Sequence, residues 1–123
     1  MGLYREEETF KIIGVCMEVH RNLGPGLLEV VYKDALEIEF KANNLPFERE
    51  KEFSIEYKGV ILPHKFYADF IVNEDIVLEV KAIKEFSGEH TAQVLNYMKL
   101  SDSEIGLLVN FQNKSLQHKR LVF

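Results

Sequence analysis

A single cysteine, Cys16, is the only thiol in the sequence, so no disulfide can close within the chain. That suits a reducing compartment, and the neighbours Val15, Met17 and Val19 mark a buried structural thiol rather than a nucleophile. Long apolar runs are also missing, and nothing approaches the roughly 18 residues that a membrane span requires. The start, from Met1 to Lys11, lacks the basic opening and apolar stretch of a signal peptide. The expectation is therefore a soluble, cytoplasmic protein. Repeats, low-complexity segments and linkers are absent too, and 123 residues fit one domain, spanning 1–123.

Positive charge is in short supply. Fifteen Lys and Arg face twenty Asp and Glu, a net charge of −5, which excludes a chain that binds polyanions through overall basicity. Local arrangement matters more than the sum, and carboxylates that hold a divalent metal lose their negative field. With 46% apolar and 28% charged residues the balance is that of an ordinary globular protein. A domain of this size buries about two-thirds of its unfolded surface, so one core is attainable without cross-links.

Apolar periodicity predicts a helix over about 6–23. Phe10, Ile13, Met17 and His20 form one stripe, widened by Ile12, Cys16, Val19 and Leu23. Glu6, Glu7 and Glu8 suit the positive end of its dipole, and Gly24-Pro25-Gly26 stops it. A second helix is expected over about 27–42, with Leu28, Val31, Ala35, Ile38 and Ala42 as its stripe and Tyr32, Leu36 and Phe40 extending it. Beyond the Asn43-Asn44-Leu45-Pro46 breaker, Phe53, Ile55 and Tyr57 alternate with polar residues as in a half-buried strand. Strands follow at 66–72 and 76–83, the second apolar enough to lie centrally with both faces covered. A helix over 88–100, carrying Ala92, Leu95 and Met98 or Lys99, leads to a buried strand at 105–111 and an edge strand at 116–123. The order α-α-β-β-β-α-β-β describes an α/β fold whose mixed β-sheet is flanked by helices.

Three charged groups interrupt the most apolar hairpin. Asp69 stands between Ala68 and Phe70, and Glu79 and Lys81 flank Val80. Buried charges persist only when paired, metal-bound or exposed. Glu79 and Lys81 are two apart and share a strand face. If Asn73-Glu74-Asp75 is a three-residue loop, Val72 pairs with Ile76 and Asp69 falls opposite Glu79. A two-residue loop would turn Asp69 to the other face. Two carboxylates on adjacent strands offer hard oxygen ligands to Mg²⁺ or Mn²⁺, with the Val80 carbonyl as a further donor. The ion would polarise a phosphate and acidify water, while Lys81 would orient that water or offset developing charge. The plainer alternative is a surface Glu–Lys pair with Asp69 solvated at an edge.

Five further residues bear on this choice. Gln93 and Tyr97 are four apart on the third predicted helix and share a face. Glu29 lies in the first turn of the second helix, either as part of the site or as a favourable first-turn acid. His20 lies on the apolar stripe of the first helix, where a hydrogen-bonded core histidine is the default over a metal ligand. His90 reads as a surface residue at a helix start.

Gly26-Leu27-Leu28-Glu29-Val30-Val31-Tyr32 reads G-x-x-E-x-x-Y, and the chain resembles the family of small proteins named after that motif. The likeness also runs through 23–26, Asp69, Glu79-Val80-Lys81, 90–100 and 106–111. That family is placed within the PD-(D/E)xK nuclease superfamily, so the resemblance implies a PD-(D/E)xK nuclease-like core with Asp69, Glu79 and Lys81 as its signature. The chain is also similar to RecB-type nuclease domains, whose early-helix histidine, Asp, E-x-K and Q-x-x-x-Y match His20, Asp69, Glu79-Val80-Lys81 and Gln93 to Tyr97. By that likeness His20 would bind metal, Gln93 and Tyr97 would position the substrate backbone, and Glu29 would complete the acidic set. Ala68 stands where the superfamily name implies proline.

The resemblance implies a Mg²⁺- or Mn²⁺-dependent nuclease hydrolysing phosphodiester bonds, with DNA favoured over RNA as partner. The alternative is a catalytically silent module of the same fold that binds nucleic acid or a protein. A third expectation is a homodimer formed through the strand at 116–123.

Overall fold

The computed structural model describes residues 5–123, so residues 1–4 of the start compared above with a signal peptide lie outside it. Helices α1 (Glu6–Leu23) and α2 (Glu29–Ala42) precede strands β1 (Phe47–Tyr57), β2 (Val60–Val72) and β3 (Ile76–Lys81). Helix α3 (Gly88–Leu100) then leads to β4 (Ile105–Asn110) and β5 (Gln117–Val122). The five strands form one sheet in sequence order, antiparallel except for the parallel pair β3–β4 that α3 connects. This is the expected mixed sheet, with β3 at its centre and buried from Ile76 to Val80. No helix among the described residues is long and apolar enough to cross a membrane.

Each side of the sheet carries its own core. One cluster joins Ile12, Cys16 and Val19 of α1 and Tyr32, Leu36 and Phe40 of α2 to Phe70, Leu78, Val80 and Val109. The other joins Val94, Tyr97 and Met98 of α3 to Ala68, Ile71, Val77 and Leu108. Gly106 lets α3 sit this close, because a Cβ there would stand 2.6 Å from both Met98 Sδ and Val94 Cγ1. Cys16 is fully buried, and burial pushes its thiol up to about 12, as a structural cysteine requires.

The helical stripes differ in part from those predicted. Phe10, Met17 and Leu23 are exposed, whereas Ile12, Val15, Cys16 and Val19 face inward. In α2 the buried stripe is Tyr32, Leu36 and Phe40, and Leu28 and Ile38 face outward. α2 also begins at Glu29 rather than Leu27. In α3, Val94 and Tyr97 are buried and Ala92 is exposed. Each of these helices is apolar on more than one flank, and the partner surface decides which flank is covered. The first strand starts at Phe47, six residues before the alternation that marked it.

One irregularity shapes the site. Phe47 packs on the α1–α2 core and Phe53 on the α3 core, although an even spacing keeps regular strand residues on one face. The same reversal separates Phe70 from Ala68 on the paired strand. Between them, Glu50 has a left-handed φ of 54°, uncommon for a residue with a Cβ. The β1–β2 ribbon therefore turns over at Glu50 and Asp69.

Candidate metal site

The β2–β3 hairpin closes with the three-residue loop. Asn73 and Glu74 take positive φ values of 50° and 74°, and Val72 pairs with Ile76, Ile71 with Val77 and Phe70 with Leu78. The next rung would set Asp69 against Glu79, and there the regular ladder ends. Side chains take over the backbone bonding. The Asp69 N–H donates to Glu79 Oε1 (2.9 Å), and the Val80 N–H donates to Asp69 Oδ2 (2.8 Å). Each carboxylate thus holds the opposite strand and is itself held by it.

Glu79 is almost fully buried, 2% exposed. Burial, then the nearby Asp69 charge, push its carboxyl up to about 9, against weaker opposition from the Asp69 N–H and Lys81. The bare site therefore favours a proton on Glu79 at neutral pH, the place a cation would otherwise balance. Lys33 of α2 donates to Asp69 Oδ1 (2.8 Å) and also pairs with Glu50, so it spans the point where the ribbon turns over. Burial pulls the Lys33 ammonium down, but its bonds to Asp69 and Glu50 prevail and hold it above its ordinary value.

Helix α2 brings a second acid to the same end of the sheet. Glu29 lies one helical turn before Lys33, and its Oε2 accepts from the Ala82 N–H just past β3 (3.3 Å). The G-x-x-E-x-x-Y residues explain that placement. Gly26 adopts φ 91°, and the Tyr32 hydroxyl donates to the Gly24 carbonyl (2.7 Å) and accepts from the Leu27 N–H (3.0 Å). The Tyr32 ring stacks on Phe111, whose N–H donates to the Lys81 carbonyl (2.9 Å). The motif folds the α1–α2 turn onto the end of β3.

From the other side of the sheet, α3 brings Tyr97 and half-buried Gln93. Burial and then the charge on Glu79 raise the Tyr97 phenol, while Gln93 and the Tyr67 backbone pull the other way. Lys81 follows Glu79 on the same face of β3 and is half-buried. The structure thus gathers Asp69, Glu79, Lys81, the Val80 peptide, Gln93 and Tyr97 around the open end of the hairpin, with Glu29 at its margin.

His20 is engaged elsewhere. Its Nε2 donates to the Asn113 carbonyl (2.8 Å) and its ring lies against Phe111, the bonded core histidine of the default expectation. His90 lies at the start of α3 as expected, half-buried, and forms a capping box with Ser87. Sequence reasoning missed Lys33, whose signal was its position four residues after Glu29 on the same helix. Glu50 gave no such signal, because nothing in its residue type announces a left-handed conformation.

The donor chemistry suits a hard divalent cation. Each carboxylate oxygen has two lone-pair directions, so one hydrogen bond leaves room for a metal. Among the described residues no group of three or more His, Cys, Asp and Glu side chains is gathered closely enough to hold a metal. Two carboxylates, with water and phosphate to complete the shell, is the arrangement Mg²⁺ tolerates and a zinc site does not.

A family model described as PD-(D/E)XK nuclease superfamily matches residues 6–121. The chain belongs to the PD-(D/E)XK nuclease superfamily. Proteins of that superfamily typically use divalent metals. Three solved chains match, among them one titled "Crystal structure of SSO0001", with 27% identity and a TM-score of 0.59. That alignment covers 75% of this chain and 49% of the other, so the chain spans about half of that structure's length. Among curated proteins there is no match.

Proposed function

We propose that this superfamily member is a Mg²⁺- or Mn²⁺-dependent nuclease of the GxxExxY type that hydrolyses phosphodiester bonds, with DNA favoured over RNA. The observation that carries the reading is the exchange of backbone bonds between Asp69 and Glu79 at the end of the β2–β3 ladder. It leaves two acids side by side, one of them buried. Asp69, Glu79 and the Val80 carbonyl are the proposed ligands, and His20, bonded to Asn113, is left out of that set. A bound ion supplies Lewis acidity towards the phosphate and lowers the pKa of water.

The chain's own groups do the rest. Lys81 orients the attacking water and offsets the charge that develops on the phosphate. Glu29 completes the acidic set and fixes the end of β3 through the Ala82 N–H, so Lys81 departs from a held backbone. Gln93 and Tyr97 position the sugar-phosphate backbone from α3. The GxxExxY assignment is supported by the work that Gly26, Glu29 and Tyr32 each do at the turn.

Cleavage of single- and double-stranded DNA with Mg²⁺ tests the mechanism. Lys81→Ala is expected to slow cleavage by about 100-fold or more while leaving Mn²⁺ binding in place. Equal rates in wild type and variant would contradict the role of Lys81. Binding without any product from wild type would favour the catalytically silent module.

A further inference from the structure

The charge of the chain is unevenly spread. Up to Val80 there are nine basic and sixteen acidic residues, and from Lys81 onwards six basic and four acidic. From Ile105 to Phe123 there are three basic residues and no acid. The acidic excess thus belongs to the part of the chain that builds α1, α2 and the first three strands. The strands beyond the site are free of it.

One of those cations is tied to the site by register. Glu79 pairs with Leu108 across β3–β4, and Leu108 pairs with Lys119 across β4–β5. Lys119 therefore lies on the same rung as Glu79, two strands away, or about 10 Å across the sheet. It also shares the face. Leu108 and Leu121 pack with α3, and alternation puts Lys119 between them on that side and sends His118 and Arg120 to the other. The Lys119 ammonium donates to Thr91 Oγ1 on α3 (3.3 Å) and pairs with no carboxylate among the described residues.

Helix α3 spans the gap between the two. Thr91 touches β5, Val94 packs over β4, and Tyr97 stands by Glu79 and the Tyr67 backbone. Tyr97 and Gln93 follow one another along the helix towards Thr91. The polar flank of α3 thus runs from the carboxylate pair to an exposed lysine.

We propose that Lys119 is a phosphate anchor, which grips the nucleic-acid backbone a few nucleotides from the bond held at Asp69 and Glu79. Its distance from Glu79, taken along the axis of a duplex, spans about three rises of 3.4 Å. The inference rests on the nuclease reading and names a contact that reading does not contain. The competing account is that Lys119 only discourages β5, an edge strand, from pairing with a second copy.

The test is binding of a fluorescent DNA oligonucleotide in Ca²⁺ across a range of salt, with sedimentation of each protein. Lys119→Ala is expected to bind on the order of five-fold more weakly, with a salt slope lower by about 0.7–0.9. Lys119→Arg should restore both, and Lys11→Ala on α1 should change neither. Unchanged affinity and slope in Lys119→Ala, with or without new self-association, would overturn the anchor and leave the nuclease reading standing. Failure of wild type to bind DNA at any salt would overturn both.

Discussion

The two ends of the β2–β3 hairpin are built from the same ladder and do opposite things. At the closed end, Phe70, Ile71 and Val72 pair with Leu78, Val77 and Ile76, and all six side chains are buried apolar groups. At the open end, Asp69 and Glu79 occupy the next rung, and their carboxylates replace the ladder bonds with bonds to each other's strands. The closed end supplies hydrophobic stability. The open end keeps an acid in a place where burial penalises its charge. A charged rung of this kind persists because a cation, a proton or Lys33 balances it.

That contrast can be broken from either side. The largest effect on stability is expected at the closed end. Leu78→Ala removes a fully buried side chain and should cost about 2–5 kcal/mol in denaturant unfolding, equally with and without Mn²⁺. A loss that Mn²⁺ repaired would mean that the two ends are not separable.

A smaller and pH-dependent effect is expected at the open end. The Glu79 carboxyl titrates near 4.5 in the unfolded chain and is raised to about 9 in the fold, so the metal-free native state binds the additional proton between those values. Its contribution is complete below about 4.5 and is lost as pH rises through about 9. Metal-free wild type should therefore lose thermal stability over that window relative to Glu79→Gln, with the two converging at the acidic end. Parallel curves for the two proteins would show that Glu79 is not held protonated.

Much of the closed end was legible in the sequence. Asn73-Glu74-Asp75 between two apolar runs marked the turn and left a three- or a two-residue loop open, and the structure takes the three-residue loop, with Val72 paired to Ile76. Strand β3 announced itself as central by its nearly continuous apolar run. The open end was legible only as a set of residue types. Lys33 lies on a helix distant in sequence, and its bond to Asp69 depends on how α2 crosses the sheet. The reversal at Glu50 was illegible because glutamate has no preference for positive φ, and tertiary packing imposes it. The helix stripes were legible only in part for a related reason. Ile38 and Leu28 are apolar but face outward, and periodicity cannot distinguish a covered apolar flank from a bare one.

The central claim is that the open end of the hairpin holds a divalent cation through Asp69 and Glu79. A calorimetric titration of wild type and Asp69→Ala with Mn²⁺, in the presence of a short phosphodiester to complete the coordination, tests it most directly. The account predicts saturable binding by wild type and none by Asp69→Ala, whose folding is checked by its unfolding transition. Equal binding by the two proteins, or no binding by wild type with the phosphodiester present, would contradict it.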